Sequence, residues 1–219
     1  MNRKKEPLRG IYLVLDPSKE RKRLLMKLEE SLQAGIDAVQ LWNNWPGAMS
    51  LPDKLGLIKE ILKIAAPFDL PVLINEEWQL LAKSELDGVH FDKIPRDFQH
   101  IQQEIGYDRI VGLTCGNDLS LVEWAEAHEI DYLSFCAMFP SRSVDDCAIV
   151  KPETVRDARS ITQMPIFLSG GIIPRNLASL KELDFQGVAI ISGIMDSPSI
   201  VKSVCAYRIA LNQLKNQTS

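Results

Sequence analysis

Cysteine is scarce and scattered in this 219-residue chain. Cys115, Cys136, Cys147 and Cys205 form no C-x-x-C pair, which excludes a disulfide-framed fold and a cysteine-built zinc site and points to reduced, inert thiols. Long apolar runs are missing too, since Gly or Asp interrupts each of them, so no segment reads as a bilayer-spanning helix and no membrane partner is expected. The basic start Arg3-Lys4-Lys5 is followed only by the short apolar stretch 11–15, too brief for the core of a secretion signal, and a cytoplasmic protein is expected. Positive charge is not in excess: 25 Lys and Arg stand against 29 Asp and Glu, for a net charge of -4. That argues against a nucleic-acid partner, and any anion must be held by a local site. Low-complexity stretches and linkers are also lacking. With 46% hydrophobic, 25% charged and 7% aromatic residues, the chain suits one sizeable core, a single domain over 1–219.

What the chain has in plenty is a repeat. Short apolar runs at 11–15, 38–42, 71–75, 88–91, 109–114, 131–137, 165–169 and 187–191 alternate with segments of helical spacing. This βαβ alternation predicts an α/β fold with a parallel sheet, and eight runs predict an eight-fold β/α (TIM) barrel. A doubly wound open sheet would need a topological switch that the steady repeat does not show. The runs are continuously apolar, as expected of strands covered on both faces. Helices are predicted over 19–34, 51–65, 119–128, 152–161, 174–183 and 198–214, with shorter crossovers over 77–84 and 95–105. Pro52, Pro152, Pro174 and Pro198 sit where first helical turns would start, and Ser18, Asp118 and Ser197 are expected caps.

In such a barrel the chemistry belongs at the carboxyl ends of the strands and in the loops that follow. That rule selects Asp16, Gln40, Trp42, Asn43, Asn44, Asn75, Glu76, His90, Asp92, Thr114, Cys115, the 139–144 loop, Ser169-Gly170-Gly171 and Ser192-Gly193. Glycines after the seventh and eighth runs let backbone N–H groups close on an anion, the recurrent phosphate site of this architecture. The alternative is that they only permit tight turns. For His90, a structural role in the strand end is expected, and His100 and His128 fall on helical segments at the surface.

The segments Ile11-Tyr12-Leu13-Val14-Leu15-Asp16, Ala38-Val39-Gln40-Leu41, Val72-Leu73-Ile74-Asn75, Asp87-Gly88-Val89-His90, Val111-Gly112-Leu113-Thr114, Phe139-Pro140, Gly170-Gly171-Ile172 and Ser192-Gly193-Ile194 resemble, in order and spacing, the family of thiamin phosphate synthase and its relative thiazole tautomerase. The resemblance implies a transferase that joins hydroxymethylpyrimidine diphosphate to thiazole phosphate with Mg²⁺, releasing diphosphate through a carbocation-like pyrimidine intermediate. Its partners would be small phosphorylated heterocycles, and assembly into a homo-oligomer is left open. Carried over, Gln40 faces the pyrimidine, Asn75 sits by the diphosphate, and Ser141, Ser143, Gly171, Ser192 and Gly193 hold the thiazole phosphate. Glu76 and Asp92 take the metal-binding acidic positions, while Thr114 stands where the family has a serine.

The diphosphate side departs from the pattern. The family's Gln-Leu-Arg-x-Lys reads Gln40-Leu41-Trp42-Asn43-Asn44, and the lysine of the 139–144 loop is Val144. A missing contact to a developing anion typically costs about 3 to 4 kcal/mol. Arg142 and Lys93 are the expected replacements, with a solvated loop side chain as the alternative for Arg142. Trp42 either packs loops over the barrel or offers a ring for stacking on a heterocycle. Two other functions remain: a tautomerase-type isomerase, which lacks its histidine after the fifth run, and a non-catalytic binder of thiamin phosphate or a related monophosphate.

Overall fold

The computed structural model describes residues 7–140 and 148–215, so Ser141, Arg142, Ser143, Val144 and Cys147 lie outside the described residues. The predicted strands all form: β1 (Gly10–Leu15), β2 (Ala38–Leu41), β3 (Val72–Asn75), β4 (Gly88–Phe91), β5 (Ile110–Cys115), β6 (Tyr132–Phe135), β7 (Ile166–Ser169) and β8 (Gly187–Ile190). They pair in parallel, each with the next, and β8 returns to β1 to close the barrel. The helices are α1 (Arg21–Gln33), α2 (Leu51–Ala65), α3 (Trp78–Leu81), α4 (Phe98–Ile105), α5 (Ser120–Ala127), α6 (Pro152–Ile161), α7 (Ser192–Met195) and α8 (Ile200–Lys215). None is long and apolar enough to cross a membrane.

Two expectations about helices change. The segment predicted as a helix over 174–183 is a shorter 3₁₀ helix, Pro174–Leu180, which eclipses its two buried leucines, Leu177 and Leu180, on one face. Asn176 locks its start, accepting from Ile173 N–H and donating to Gly171 C=O, each at 2.9 Å. The cap of α1 is Glu20 and not Ser18; its carboxylate accepts from the N–H groups of Lys22 and Arg23. Asp118 does engage the start of α5, accepting from Ser120 N–H and Oγ, and Ser197 accepts from Ser199 N–H.

Alternation along the strands builds two cores. One set of side chains, such as Ile11, Leu13 and Leu15 or Val39 and Leu41, packs outward against the helices. The other set, Leu8, Tyr12, Ala38, Leu73, Tyr132 and Phe167, fills the barrel interior. Space for those rings comes from glycine on neighbouring strands: a Cβ on Gly112 would lie 2.2 Å from the Tyr132 ring, and one on Gly187 would lie 2.4 Å from Phe167. One step nearer the carboxyl ends, the inward positions turn polar: Gln40, Asn75, His90, Thr114, Ser134 and Ser169. The aromatic layer is thus the floor of a polar chamber.

Candidate active site

A cavity of about 520 Å³ opens at the carboxyl end of the barrel. It brings together Gln40, Trp42, Asn75, Asp92, Thr114, Gly171, Ser192 and Gly193 from the sequence-selected positions. Asn44 is not in its wall; its amide donates to Asp16 at 3.0 Å on the exposed side of the mouth. Glu76 and Lys93, next in the chain to Asn75 and Asp92, are also outside the wall. Tyr12, Tyr132 and Ser134 are polar groups at this floor that the sequence reading did not select. Their signal was phase: each lies in an apolar-looking strand, on the inward alternation shared with Gln40 or Thr114.

On the β3–β4 side, Asn75 is buried and donates to Asp92 Oδ1 (3.0 Å) and to the His90 carbonyl (3.2 Å), while its own Oδ1 is buried without a hydrogen-bond partner. Glu76 Oε1 accepts from Asp92 N–H at 2.6 Å. Protein packed around each carboxyl raises the proton affinity of both Glu76 and Asp92, and for Glu76 the neighbouring Asp92 adds to it. No cluster of three or more His, Cys, Asp or Glu occurs among the described residues. The two carboxylates and the Asn75 amide offer only oxygen donors, the chemistry that suits Mg²⁺.

On the β7–β8 side, Gly170 and Gly171 have φ of 79° and 64°. A Cβ on Gly171 would lie 2.6 Å from the Pro140 carbonyl oxygen, and one on Gly193 would lie 2.1 Å from the Tyr207 hydroxyl. These glycines therefore have a packing reason as well. Among the described residues the N–H groups of Gly171 and Gly193 make no hydrogen bond, and both line the cavity. Around the mouth, Trp45 Nε1 and Lys54 both donate to Glu77, with the Lys54 ammonium 4.8 Å above the Trp45 ring. Lys54 is thereby held away from the cavity wall, which contains no Lys or Arg among the described residues.

The profile of the thiamine monophosphate synthase family matches residues 11–194. The chain belongs to that family. Curated thiamine-phosphate synthases similar to it include those of Geobacillus kaustophilus, 27% identical over 210 residues (95% of this chain, 94% of the relative), and Methylobacillus flagellatus, 28% identical over 194 residues (89% and 91%). A solved thiamine phosphate pyrophosphorylase from Pyrococcus furiosus has the same fold, with a TM-score of 0.80 at 19% identity over 94% of this chain and 96% of that one. Within the thiamine monophosphate synthase family, a tautomerase-type reaction would need a base in the loop after β5. Burial pushes the Cys115 thiol up to about 12, which disfavours it as that base. His90 is no better suited, since burial holds it down to about 4.

Proposed function

We propose that the protein is a thiamin-phosphate-synthase-type transferase, coupling hydroxymethylpyrimidine diphosphate to thiazole phosphate with release of diphosphate. The observation that carries this reading is the meeting of Gln40, Asn75 and Thr114, from three strands, with Gly171 and Ser192, just beyond β7 and β8, around one cavity in a chain of this family. In this reading Gln40 orients the pyrimidine, and Asn75 and Thr114 flank the carbon whose bond to diphosphate breaks while the bond to the thiazole forms. The N–H groups of Gly171 and Gly193, with the hydroxyls of Ser192, Ser141 and Ser143, hold the thiazole phosphate. Glu76 and Asp92, helped by the unpartnered Asn75 oxygen, would hold Mg²⁺. When bound, Mg²⁺ supplies positive charge against the diphosphate. Lys93 and Arg142 provide the remaining charge, Trp42 packs on the heterocycle, and Asn44 borders the mouth.

The test is incubation of the protein with hydroxymethylpyrimidine diphosphate, thiazole phosphate and Mg²⁺, and the expected product is thiamin phosphate. In the active protein, Arg142→Ala should lower kcat/KM by about 10²-fold, the effect of losing one contact to a developing anion. One observation favours a second reading: with no cationic side chain in the described cavity wall, the site suits a monophosphate better than a diphosphate. Tight, Mg²⁺-independent binding of thiamin phosphate without turnover would establish a binder instead.

A further inference from the structure

Five side chains from five strands form one continuous hydrogen-bonded chain across the chamber floor. Gln40 on β2 meets Tyr12 on β1 at 2.9 Å, Tyr12 meets Tyr132 on β6 at 2.8 Å, Tyr132 meets His90 Nδ1 on β4 at 2.9 Å, and His90 Nε2 meets Thr114 on β5 at 2.7 Å. Both tyrosines and His90 are buried, and the His90 and Tyr132 rings stack with centroids 5.5 Å apart. The two ends, Gln40 and Thr114, line the cavity, as do Tyr12 and His90 between them.

Counting protons gives this chain a direction. With the Gln40 amide set so that Oε1 faces Tyr12, that oxygen can only accept, and the single Tyr12 proton goes to it. The Tyr12 oxygen must then receive the Tyr132 proton, and the Tyr132 oxygen must receive a proton from His90 Nδ1. No carboxylate bonds the ring, and its neighbours are hydroxyls and an aromatic face, so it carries that one proton alone. Its Nε2 is therefore an acceptor, and the Thr114 hydroxyl donates to it. No link can reverse alone, because reversal sets two donors or two acceptors against each other in a buried place, so the chain changes as a unit or not at all.

We infer that the floor is an oriented hydrogen-bond chain running from Thr114 to Gln40, in which Tyr12, Tyr132 and His90 are positioning residues that fix what the two ends offer a ligand. Gln40 presents its amide N–H groups, which make no other hydrogen bond among the described residues, and Thr114 presents a bare oxygen. A ligand is accepted that brings an acceptor, such as an unprotonated ring nitrogen, to Gln40 and an N–H or O–H donor to Thr114. A ligand of reversed polarity has to invert every proton in the floor. Assigning the Gln40 end to the pyrimidine rests on the transferase reading; the direction of the chain does not.

The test is the tautomer of His90 in the substrate-free protein, read from ¹⁵N–¹H correlation spectra of the imidazole rings, with His100→Gln and His128→Gln variants to assign the signals. The expected spectrum has a protonated, pyrrole-type Nδ1 and a bare, pyridine-type Nε2. A ring protonated at Nε2, whether alone or at both nitrogens, overturns the inference. In Tyr12→Phe the Tyr132 proton loses its acceptor and turns to His90 Nδ1, so the proton on the ring should move to Nε2, two links away from the substitution. In Gln40→Glu the end of the chain still accepts, and Nδ1 should stay protonated. An unchanged tautomer in folded Tyr12→Phe overturns the coupling, and if that variant does not fold the wild-type spectrum decides alone. Inactivity with the expected tautomer would sink the transferase reading and leave the chain standing, whereas activity with the opposite tautomer would sink only the chain.

Discussion

At the scale of single residues, the glycines of the β7 and β8 loops do two jobs at once. Tyr207 on α8 donates to the Ile172 carbonyl at 2.9 Å and so pins the β7 loop, and the same hydroxyl occupies the space a Cβ on Gly193 would need. Gly193→Ala should therefore destabilise the protein by about 1–3 kcal/mol through overpacking, and Tyr207→Phe by about 1–2 kcal/mol through the lost hydrogen bond. Because the second change removes the atom the first one strikes, the double variant should be less destabilised than the sum of the two. Urea unfolding of the four proteins checks this, and strict additivity would show that the two residues do not share that space. From sequence, the barrel rule found Gln40, Asn75, Thr114 and Ser192 because strand ends are visible as the limits of apolar runs. It could not reveal the packing role of Gly171 and Gly193, since the atoms they make room for, in Pro140 and Tyr207, are remote in the chain. Tyr12 and Tyr132 escaped it because they sit two residues deeper, where tyrosine looks like ordinary core.

At the scale of elements, one device recurs around the foot of the barrel. The residue before each even-numbered strand reaches back to the preceding strand: Asp37, Asp87 and Asp131 accept from the N–H groups of Ile11, Val72 and Val111 at 2.6–2.8 Å, and Gln186 accepts from Ile166 N–H at 2.9 Å. The backbone N–H of each of the four donates to the carbonyl of that same partner residue. Each side chain thus satisfies an N–H at the start of a strand, where the ladder has not begun. Removal should cost about 1–3 kcal/mol each, because it leaves that donor without a partner. Asp87→Ala should show the full loss and Asp87→Asn less, since the amide oxygen still accepts; Asp87→Ala and Asp131→Ala, on separate strand pairs, should add. Equal stability of Asp87→Ala and wild type in denaturant unfolding would refute the assignment. The strands were legible because burial on both faces leaves long apolar marks. The segment 131–137 was read one residue too early, since Asp131 clamps β5 instead of entering β6. The crossover over 77–84 shortens to the single α-helical turn Trp78–Leu81, and the helix over 174–183 becomes a 3₁₀ helix, because periodicity in so short a segment fixes neither length nor helix type.

At the scale of the whole molecule, an inner aromatic layer lies inside an outer shell of helix-to-strand contacts, and the inner layer carries hydroxyls that resist ionisation in place. Burial is the main cause for all three enclosed tyrosines: it raises Tyr12 and Tyr132 well above the ordinary phenol range and pushes Tyr207 up to about 12. Below pH 10 the folded and unfolded chains both keep these protons. Above it the unfolded chain releases them and the barrel does not, so the unfolded state binds fewer protons and stability falls as pH rises. The buried Cys115 thiol, ordinarily near 9 and pushed up to about 12, adds the same slope at the lower edge of that window. Each such group contributes about 1.4 kcal/mol per pH unit, so several together should unfold the barrel cooperatively in alkali. Phenolate absorbance and circular dichroism followed together should change at one pH, with three tyrosines ionising in that step. Tyr132→Phe should reduce the number released and flatten the fall in stability between pH 10 and the transition. Phenolate formation at Tyr12 and Tyr132 while the circular dichroism of the barrel persists would mean that water penetrates between the rings, and the inner layer would then not be the closely packed base on which the site is built.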